Sequence, residues 1–155
     1  MKQTLIVLFA LAGLPSMGVE PPGHVRWPAA ELKGFGAKLS PKINAQKFAS
    51  AQLGRFGNHS FAVVHREGDG EAELHETQTD IFIVQSGEAS LVAGGQVVGG
   101  KTTAPGEIRG PSIQGGQKTK LGPGDIVNIP AKTPHQVLVE PGKQFTYVIV
   151  KVDTP

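Results

Sequence analysis

The chain has 155 residues, of which 21 are glycine and 12 are proline, and a formal net charge of +2 at pH 7. This length suits one domain with a single β-sandwich or barrel core, and the small net charge gives no argument for nucleic acid or an anionic membrane as a partner. The chain has no cysteine, which excludes disulfides, thiolate metal ligands and cysteine nucleophiles.

Residues 1–18 have the layout of a secretory signal peptide. Lys2 supplies a positive charge, and the apolar run Leu5–Ala12 is about half the length that a membrane span needs. The small residues of Ser16-Met17-Gly18 mark a cleavage site. We therefore expect a mature chain that begins near Val19 and is exported to the periplasm or the extracellular space, with no membrane attachment after cleavage. An N-terminal anchor or a buried helix is the alternative interpretation.

Residues 19–57 are predicted to form an N-terminal lead-in that is partly helical. Pro28 stands where it can begin a short helix, and Ser40-Pro41 repeats this start signal. The helical stretch is expected to end at Gly54, because glycine commonly follows the last turn of a helix. Its inward-facing residues would be Ile43, Phe48 and Leu53.

Residues 58–155 change to a pattern of short strands separated by turn signals, which predicts an all-β sandwich or barrel. The stretch from Gly99 to Gln117 is expected to be one long irregular loop, and such loops in compact domains are often functional. The predicted strands are Ser60–His65, Ala72–Glu76, Asp80–Val84, Ala89–Val92, Lys118–Leu121, Ile126–Ile129, Gln136–Glu140 and Gln144–Lys151.

Three of these segments carry side chains that can bind a metal. Glu71, Glu73 and His75 share one face of a predicted strand because side chains alternate along it. Two carboxylates and an imidazole are costly to bury together unless a cation or hydrogen-bond partners lie between them. Asp80 follows after a short connection, and a proline-bounded turn leads to His135.

The first of these segments resembles a motif of the cupin superfamily. The family motif is H-x-H, three or four residues, E, six residues, G. This chain has Glu73-x-His75, four residues, Asp80, six residues and Gly87. The spacing therefore matches, while a glutamate replaces the first histidine and a shorter aspartate replaces the family's glutamate.

The last segment resembles the second cupin motif, which is G, five residues, P-x-G, two residues, H. This chain has Gly124, five residues, Pro130-x-Lys132, two residues and His135. Lys132 replaces the family's second glycine, and Val139 stands where the family has a closing asparagine. The resemblance implies a jelly-roll barrel with a metal inside it.

The metal site implied by this resemblance consists of Glu73, His75, Asp80 and His135. Two imidazoles and two carboxylates suit one divalent transition ion, and the ligand types do not choose between Mn, Fe, Zn and Ni. Asp80 could instead orient one of the histidines. Glu73, if it is not a ligand, is the natural general base beside the metal.

The predicted loop supplies two further candidates, Glu107 and Arg109. They would face the same way if the segment is extended, so that Arg109 could hold a substrate carboxylate and Glu107 could line the pocket. A solvated loop pair is the alternative. His59 and His65 are interpreted as surface or packing residues because no family position supports them.

One segment fits a phosphate-loop pattern without its structural context. Gly95 to Thr102 reads G-x4-G-K-T, which binds phosphate only where a helix follows. Pro105 follows so soon that no helix can form there. We therefore predict no nucleotide-binding site.

The function implied by the resemblance is that of a metal-dependent cupin enzyme acting on a small-molecule substrate, of the dioxygenase, isomerase, lyase or decarboxylase type. The alternative is a non-catalytic barrel that binds a small ligand or a metal, including a degenerate barrel that has lost its metal. These two functions are not separated by the sequence, because a fold does not fix a function. A homodimer is left open.

Overall fold

A computed structural model of the chain describes residues 20–154. The signal peptide predicted at residues 1–18 lies outside the described residues. Two β-sheets face each other across an apolar core, and one helix packs on the outside of the five-stranded sheet. Within the described part of the chain, no helix is long and apolar enough to cross a membrane.

The elements run almost without interruption from residue 29 onward. Helix α1 spans Ala29–Leu39 and a single 3₁₀ turn follows at Ser40–Lys42. The strands are β1 (Phe48–Phe56), β2 (His59–Arg66), β3 (Ala72–His75), β4 (Gln78–Gly87), β5 (Ala89–Ala93), β6 (Gln96–Val98), β7 (Lys101–Ala104), β8 (Glu107–Gly110), β9 (Ser112–Gln114), β10 (Gln117–Leu121), β11 (Ile126–Ile129), β12 (His135–Leu138) and β13 (Phe145–Asp153).

The strands form a five-stranded sheet in the order β1-β2-β13-β4-β11 and a six-stranded sheet in the order β10-β5-β12-β3-β8-β7, with β6 and β9 as a separate pair. Neighbouring strands are antiparallel, and most neighbours are distant in the sequence. This is the arrangement of a jelly roll, in which two antiparallel sheets pack face to face. The all-β jelly-roll fold with a short helical lead-in is therefore confirmed.

The five-stranded sheet buries both of its faces, because side chains alternate along each strand. On β2, Val64 belongs to the cluster between the sheets, whereas Val63 belongs to the cluster under α1. The inner cluster consists of Val64, Phe82, Val84, Ala89, Leu91, Leu121, Ile129, Val137, Val139, Phe145, Tyr147 and Ile149. The outer cluster consists of Leu39, Ala49, Val63, Val148 and Val150.

Helix α1 covers the outer face through an apolar stripe. Leu32, Phe35 and Leu39 are spaced three and four residues apart, so they lie on one side of the helix and pack on the outer cluster. Gly36 lies on this side too, and a Cβ atom there would come 3.0 Å from Thr146 Oγ1. The missing side chain therefore lets the helix approach the sheet.

Two secondary-structure predictions are wrong. Beyond the turn at Ser40–Lys42, the predicted helical stretch is instead strand β1, which pairs with β2 along its whole length. The apolar residues there follow a period of two, because Ala49, Ala51 and Leu53 all face the outer cluster. Pairing with a distant strand overrides the weak helical pattern.

The stretch from Gly99 to Gln117 is also not one irregular loop. It contains β7, β8 and β9, and β8 pairs directly with β3. All four residues of β7 are exposed, so this edge strand lacks the apolar alternation that would predict it. The phosphate-loop-like segment from Gly95 to Thr102 runs through β6 into β7.

Candidate metal centre

Four side chains from three strands converge between the two sheets. Each can offer one ligand atom, and these atoms all lie within 4.8 Å of one another. His75 and His135 are 3% exposed and Asp80 is 1% exposed, while the side chain of Glu73 is 17% exposed. The four residues are Glu73, His75, Asp80 and His135, the set implied by the motif resemblance.

Strand register brings these residues together. β3 lies between β12 and β8, and Glu73 is directly opposite His135. Asp80 lies near the start of β4 in the facing sheet, which the chain reaches through a turn of two residues after His75. The cluster therefore spans both sheets, with imidazoles from one and a carboxylate from the other.

The positions at which the two motifs have glycine adopt the left-handed backbone conformation that favours glycine. Gly87 has φ +77°, and a Cβ there would collide with the backbone of Gln144. Lys132 replaces a motif glycine and still adopts φ 64°, a left-handed conformation that costs roughly 1–2 kcal/mol for a residue with a Cβ. The backbone N–H of Lys132 donates to the carbonyl of His75 at 2.7 Å. The turn of the second motif is thus tied to the strand of the first.

The distances between the donor atoms suit a single ion. His75 Nε2 lies 3.5 Å from Glu73 Oε2 and 3.3 Å from Asp80 Oδ2, and His135 Nε2 lies 3.8 and 3.6 Å from the same oxygens. Two donors that each bind one ion at about 2.0–2.2 Å lie at most about 4.4 Å apart. The four side chains therefore need little movement to surround an ion.

One buried nitrogen in this cluster has no hydrogen-bond partner. His135 Nδ1–H donates to the carbonyl of Thr133 at 3.1 Å, which aims Nε2 at the carboxylates, and Nε2 is buried and unpartnered among the described residues. A cavity of about 20 Å³ lies against His135, Asp80 and Glu73, enough for about one water-sized occupant. An unpaired buried nitrogen is costly, so this atom and its donor set fit a metal ligand.

Glu107 fixes the orientation of the His75 imidazole. Its Nδ1–H donates to both carboxylate oxygens of Glu107, at 2.7 and 2.8 Å, and the two residues face each other across β3 and β8. A carboxylate in this position fixes the tautomer of a histidine ligand and leaves Nε2 for the metal. Glu107 therefore lies beside the candidate site, and its predicted role in lining a substrate pocket stays a prediction.

Arg109 contacts Glu73 and is largely neutralised by acids. Its guanidinium pairs with the Glu73 carboxylate, its cross-strand neighbour, and lies 4.0 Å from Glu71 and 3.8 Å from Glu107. About a third of its side chain is exposed. These contacts orient Glu73, and the predicted role of Arg109 in holding a substrate carboxylate stays a prediction.

The sequence did not predict Lys151, which also faces the cluster. Its Nζ donates to Asp80 Oδ1 at 2.9 Å and lies 3.1 Å from His75 Nε2. Strand register places Lys151 opposite Asp80 on β13 and β4. The signal was available in the alternation of β13, because Tyr147 and Ile149 face inward and Lys151 continues that face.

Opposite charges shift the pKa values of the cluster. Burial lowers the pKa of His75, but hydrogen bonds with Asp80 and Glu73 outweigh it and raise this pKa to about 9. Burial alone would raise the pKa of Glu73, yet its hydrogen bond with His75 and the charge of Arg109 hold it at about 2. Burial would likewise raise the pKa of Asp80, but the imidazoles of His135 and His75, at 3.6 and 3.3 Å, and the charge of Lys151 hold it far below its usual range. Glu73 and Asp80 therefore stay ionised, and the protonated His75 remains beside them as a positive partner.

His59 and His65 are packing residues, as predicted. His65 is fully buried on the outer face of β2, where it contacts Thr146 and Glu67. His59 stacks on Phe56, with ring centroids 5.8 Å apart. Neither histidine belongs to the four-residue cluster.

No protein-family model and no curated protein matches the chain, whereas many solved structures share its architecture. The protein TT1209 from Thermus thermophilus aligns with a TM-score of 0.53 and 17% identity, over 73% of this chain and 90% of that one. A predicted oxalate decarboxylase from Thermotoga maritima aligns with a TM-score of 0.51 and 13% identity, over 68% and 80%. The Streptomyces nucleoside dehydratase Pac13 aligns with a TM-score of 0.51 and 10% identity, over 72% and 74%. At such identities the likeness shows the fold alone.

Proposed function

We propose that this chain, whose fold is the cupin jelly roll, is a metal-dependent enzyme that acts on a small molecule. The observation that carries the proposal is the buried convergence of two imidazoles and two carboxylates around the unpartnered Nε2 of His135. Two of the similar folds are described as a predicted oxalate decarboxylase and a nucleoside dehydratase. Both descriptions are of enzymes with small substrates, which supports the class and not a particular reaction.

In this proposal His75, His135 and Asp80 hold one divalent ion, drawn from Mn, Fe, Zn and Ni, and Glu73 is either a fourth ligand or a general base. The ion, when bound, would supply a Lewis acid or a redox centre. Glu107 keeps the imidazole of His75 oriented. His75 and the guanidinium of Arg109 keep the pKa of Glu73 low, so its carboxylate is ionised, the state that a ligand and a base both need.

The alternative function is a barrel that binds a small ligand without turnover. Lys151 favours it, because an ammonium group already pairs with Asp80 and contacts His75. A cation built into the chain can stabilise a carboxylate where a metal is absent. Under this alternative, the similar folds share architecture with the chain and nothing else.

Metal analysis decides between these functions. The protein, purified without a histidine tag, is dialysed against each of the four ions and assayed for bound metal, and small molecules are then screened with and without the retained ion. We expect about one ion per chain and turnover only when it is present. A Lys151→Met variant that binds metal when the wild-type protein does not would support the alternative, because the ammonium would then have replaced the ion.

We also propose that the protein is exported, since residues 1–18 have the pattern of a signal peptide. The expected outcome is a mature chain that begins near Val19 in the exported fraction. N-terminal sequencing of the exported protein tests this directly. An intact Met1 would contradict it.

A further inference from the structure

A buried arginine without an acidic partner ends strand β2. Arg66 is 9% exposed and its Nε is buried without a hydrogen-bond partner. Within residues 20–154 it forms no ion pair. The charge of Arg66 acts on Glu73 from a distance, but that carboxylate is already paired with Arg109. A buried guanidinium without a close partner is expensive, so Arg66 keeps donors that a ligand could satisfy.

The side chain of Arg66 is held in one direction. Alternation from Val64 places it on the inner face of the five-stranded sheet. Its guanidinium carbon lies 4.8 Å from the ring centroid of Phe48, the residue opposite it on β1, where a cation is favoured over an aromatic face. A Cβ at Gly70 would come 3.0 Å from the same carbon, so the glycine leaves room for the guanidinium.

Arg66 lies where an open cavity meets the metal centre. A cavity of about 530 Å³ is lined by Arg66, Glu73, Arg109 and Gln136 among others. Arg66 and Glu73 also line the cavity of about 20 Å³ at the metal centre and a third cavity of about 230 Å³ that reaches Lys151. Among the described residues, no other lines all three of these cavities. Arg66 therefore borders both the large cavity and the small cavity at the candidate metal centre.

The two arginines of this cavity differ in available charge. Arg109 has three carboxylates within 4.0 Å, whereas Arg66 has none among the described residues. The lining also carries Asp69, Glu71 and Glu73, so the cavity as a whole does not attract anions unspecifically. An anion that enters is therefore stabilised by Arg66 in particular.

We propose that Arg66 binds a carboxylate of the substrate and that the substrate is a small organic acid. The guanidinium is planar and offers parallel N–H donors, which match the two oxygens of a carboxylate. The fate of the acid rests on the proposed function, because the metal centre would act on it. Binding of the acid does not depend on the metal.

Calorimetric titration of the metal-free protein with acetate, malonate, succinate and citrate tests this proposal, with inorganic phosphate and neutral succinamide as the other arms. We expect saturable binding of at least one carboxylate, and a loss of about tenfold or more in affinity in Arg66→Gln. Arg55→Gln is the matched control, because Arg55 is 61% exposed and pairs with Asp153 away from the cavity. Tighter binding of phosphate than of every carboxylate would overturn the carboxylate assignment. So would the absence of saturable binding, or equal affinity in Arg66→Gln.

The stability of an Arg66 variant distinguishes a binding role of Arg66 from a structural one. Arg66→Met keeps the volume of the side-chain stem and removes the charge. We expect its metal-free melting temperature to equal or exceed that of the wild-type protein, while the increase caused by the carboxylate disappears. Gly70→Ala should weaken carboxylate binding without removing any charge. A melting temperature several degrees lower in Arg66→Met would overturn the proposal.

The failure of this inference and that of the proposed function can be distinguished. Metal content is measured in the same preparations of wild-type protein and Arg66→Gln, and we expect it to be equal. Carboxylate binding by a protein that retains no metal would refute the enzyme and leave the carboxylate site standing. Metal retention without carboxylate binding would refute the carboxylate site and leave the proposed enzyme standing.

Discussion

The five-stranded sheet has a histidine beside a carboxylate near each of its faces, and the two arrangements differ in how their polar atoms are satisfied. On the outer side, His65 Nε2–H donates to Glu67 at 3.2 Å, and Nδ1 accepts from the Thr146 hydroxyl at 2.8 Å. Ser40 donates to the same carboxylate, next to the end of α1. On the inner side, His135 leaves Nε2 without a partner beside two carboxylates.

Burial alone therefore does not identify a functional histidine. His65 is more deeply buried than His135, yet its ring is fully hydrogen-bonded and fastens the helical lead-in to the sheet. The candidate metal centre brings several hydrogen-bond acceptors together, and the chain does not provide a donor for each of them. An incomplete set of partners leaves a place for a ligand, whereas a complete set stabilises the fold.

The largest effect is expected from removing the inner histidines. His75→Ala and His135→Ala should each lower metal affinity on the order of 100-fold or more, because each deletes a ligand from a buried set. His65→Ala is the matched control and should keep the metal. Bound metal per chain and competition with a chelator measure this. An unchanged number of bound metal ions per chain in folded His75→Ala would remove the distinction between the inner histidines and His65.

The candidate metal centre should also make the stability of the metal-free protein depend on pH. Because the pKa of His75 is raised to about 9 in the folded state, its contribution is complete below about pH 6.5, the ordinary value, and is lost as pH rises to about 9. The free energy of unfolding should fall by up to about 3 kcal/mol over this range. Urea denaturation with a chelator present measures it. The same slope in His75→Gln would show that other groups cause it.

The two acids of the candidate metal centre should contribute unequally to metal affinity. Asp80 is 1% exposed and fixed by Lys151, whereas Glu73 is partly exposed and engaged by Arg109. We expect Asp80→Ala to cost metal affinity on the order of tenfold more than Glu73→Ala. Glu73→Gln should keep the metal and lower turnover if Glu73 is the base. Equal losses would favour four equivalent ligands, and no loss in Asp80→Ala would place that acid outside the site.

The smallest effect is expected at the outer arrangement. Ser40→Ala removes a donor to Glu67 and should lower the free energy of unfolding by about 1 kcal/mol. Metal affinity should not change, because Ser40 contacts only the helix side of the sheet. Denaturation and metal titration of the same preparation provide both measurements. A loss of metal in this variant would mean that the two sides of the sheet are coupled.

The resemblance to the two cupin motifs implied the members of the candidate site, and the spacing within each motif reflects short-range rules. The spacing from Glu73 to Gly87 fits one strand, one turn and a second strand, and the turn before His135 keeps its left-handed residue. These rules operate within about 15 residues, so they are visible in one chain.

The residues that the sequence missed depend on pairing between distant strands. Lys151 meets Asp80 across 71 residues of chain, because β13 lies between β2 and β4. Arg66 continues the inner face of β2, but the lack of a partner for its Nε is known only once every neighbour is placed. The helical prediction failed at β1 for the same reason, since its partner strand determines its conformation.

The left-handed backbone at Lys132 has a consequence for how sequence variation at this position should be interpreted. The side chain is exposed, and such positions ordinarily accept almost any residue. Here φ 64° excludes β-branched residues and admits glycine and asparagine most readily. A saturation mutagenesis survey would thus find a surface position with the tolerance profile of a tight turn. Its intolerance would report backbone geometry at the barrel rim and not contact with a substrate.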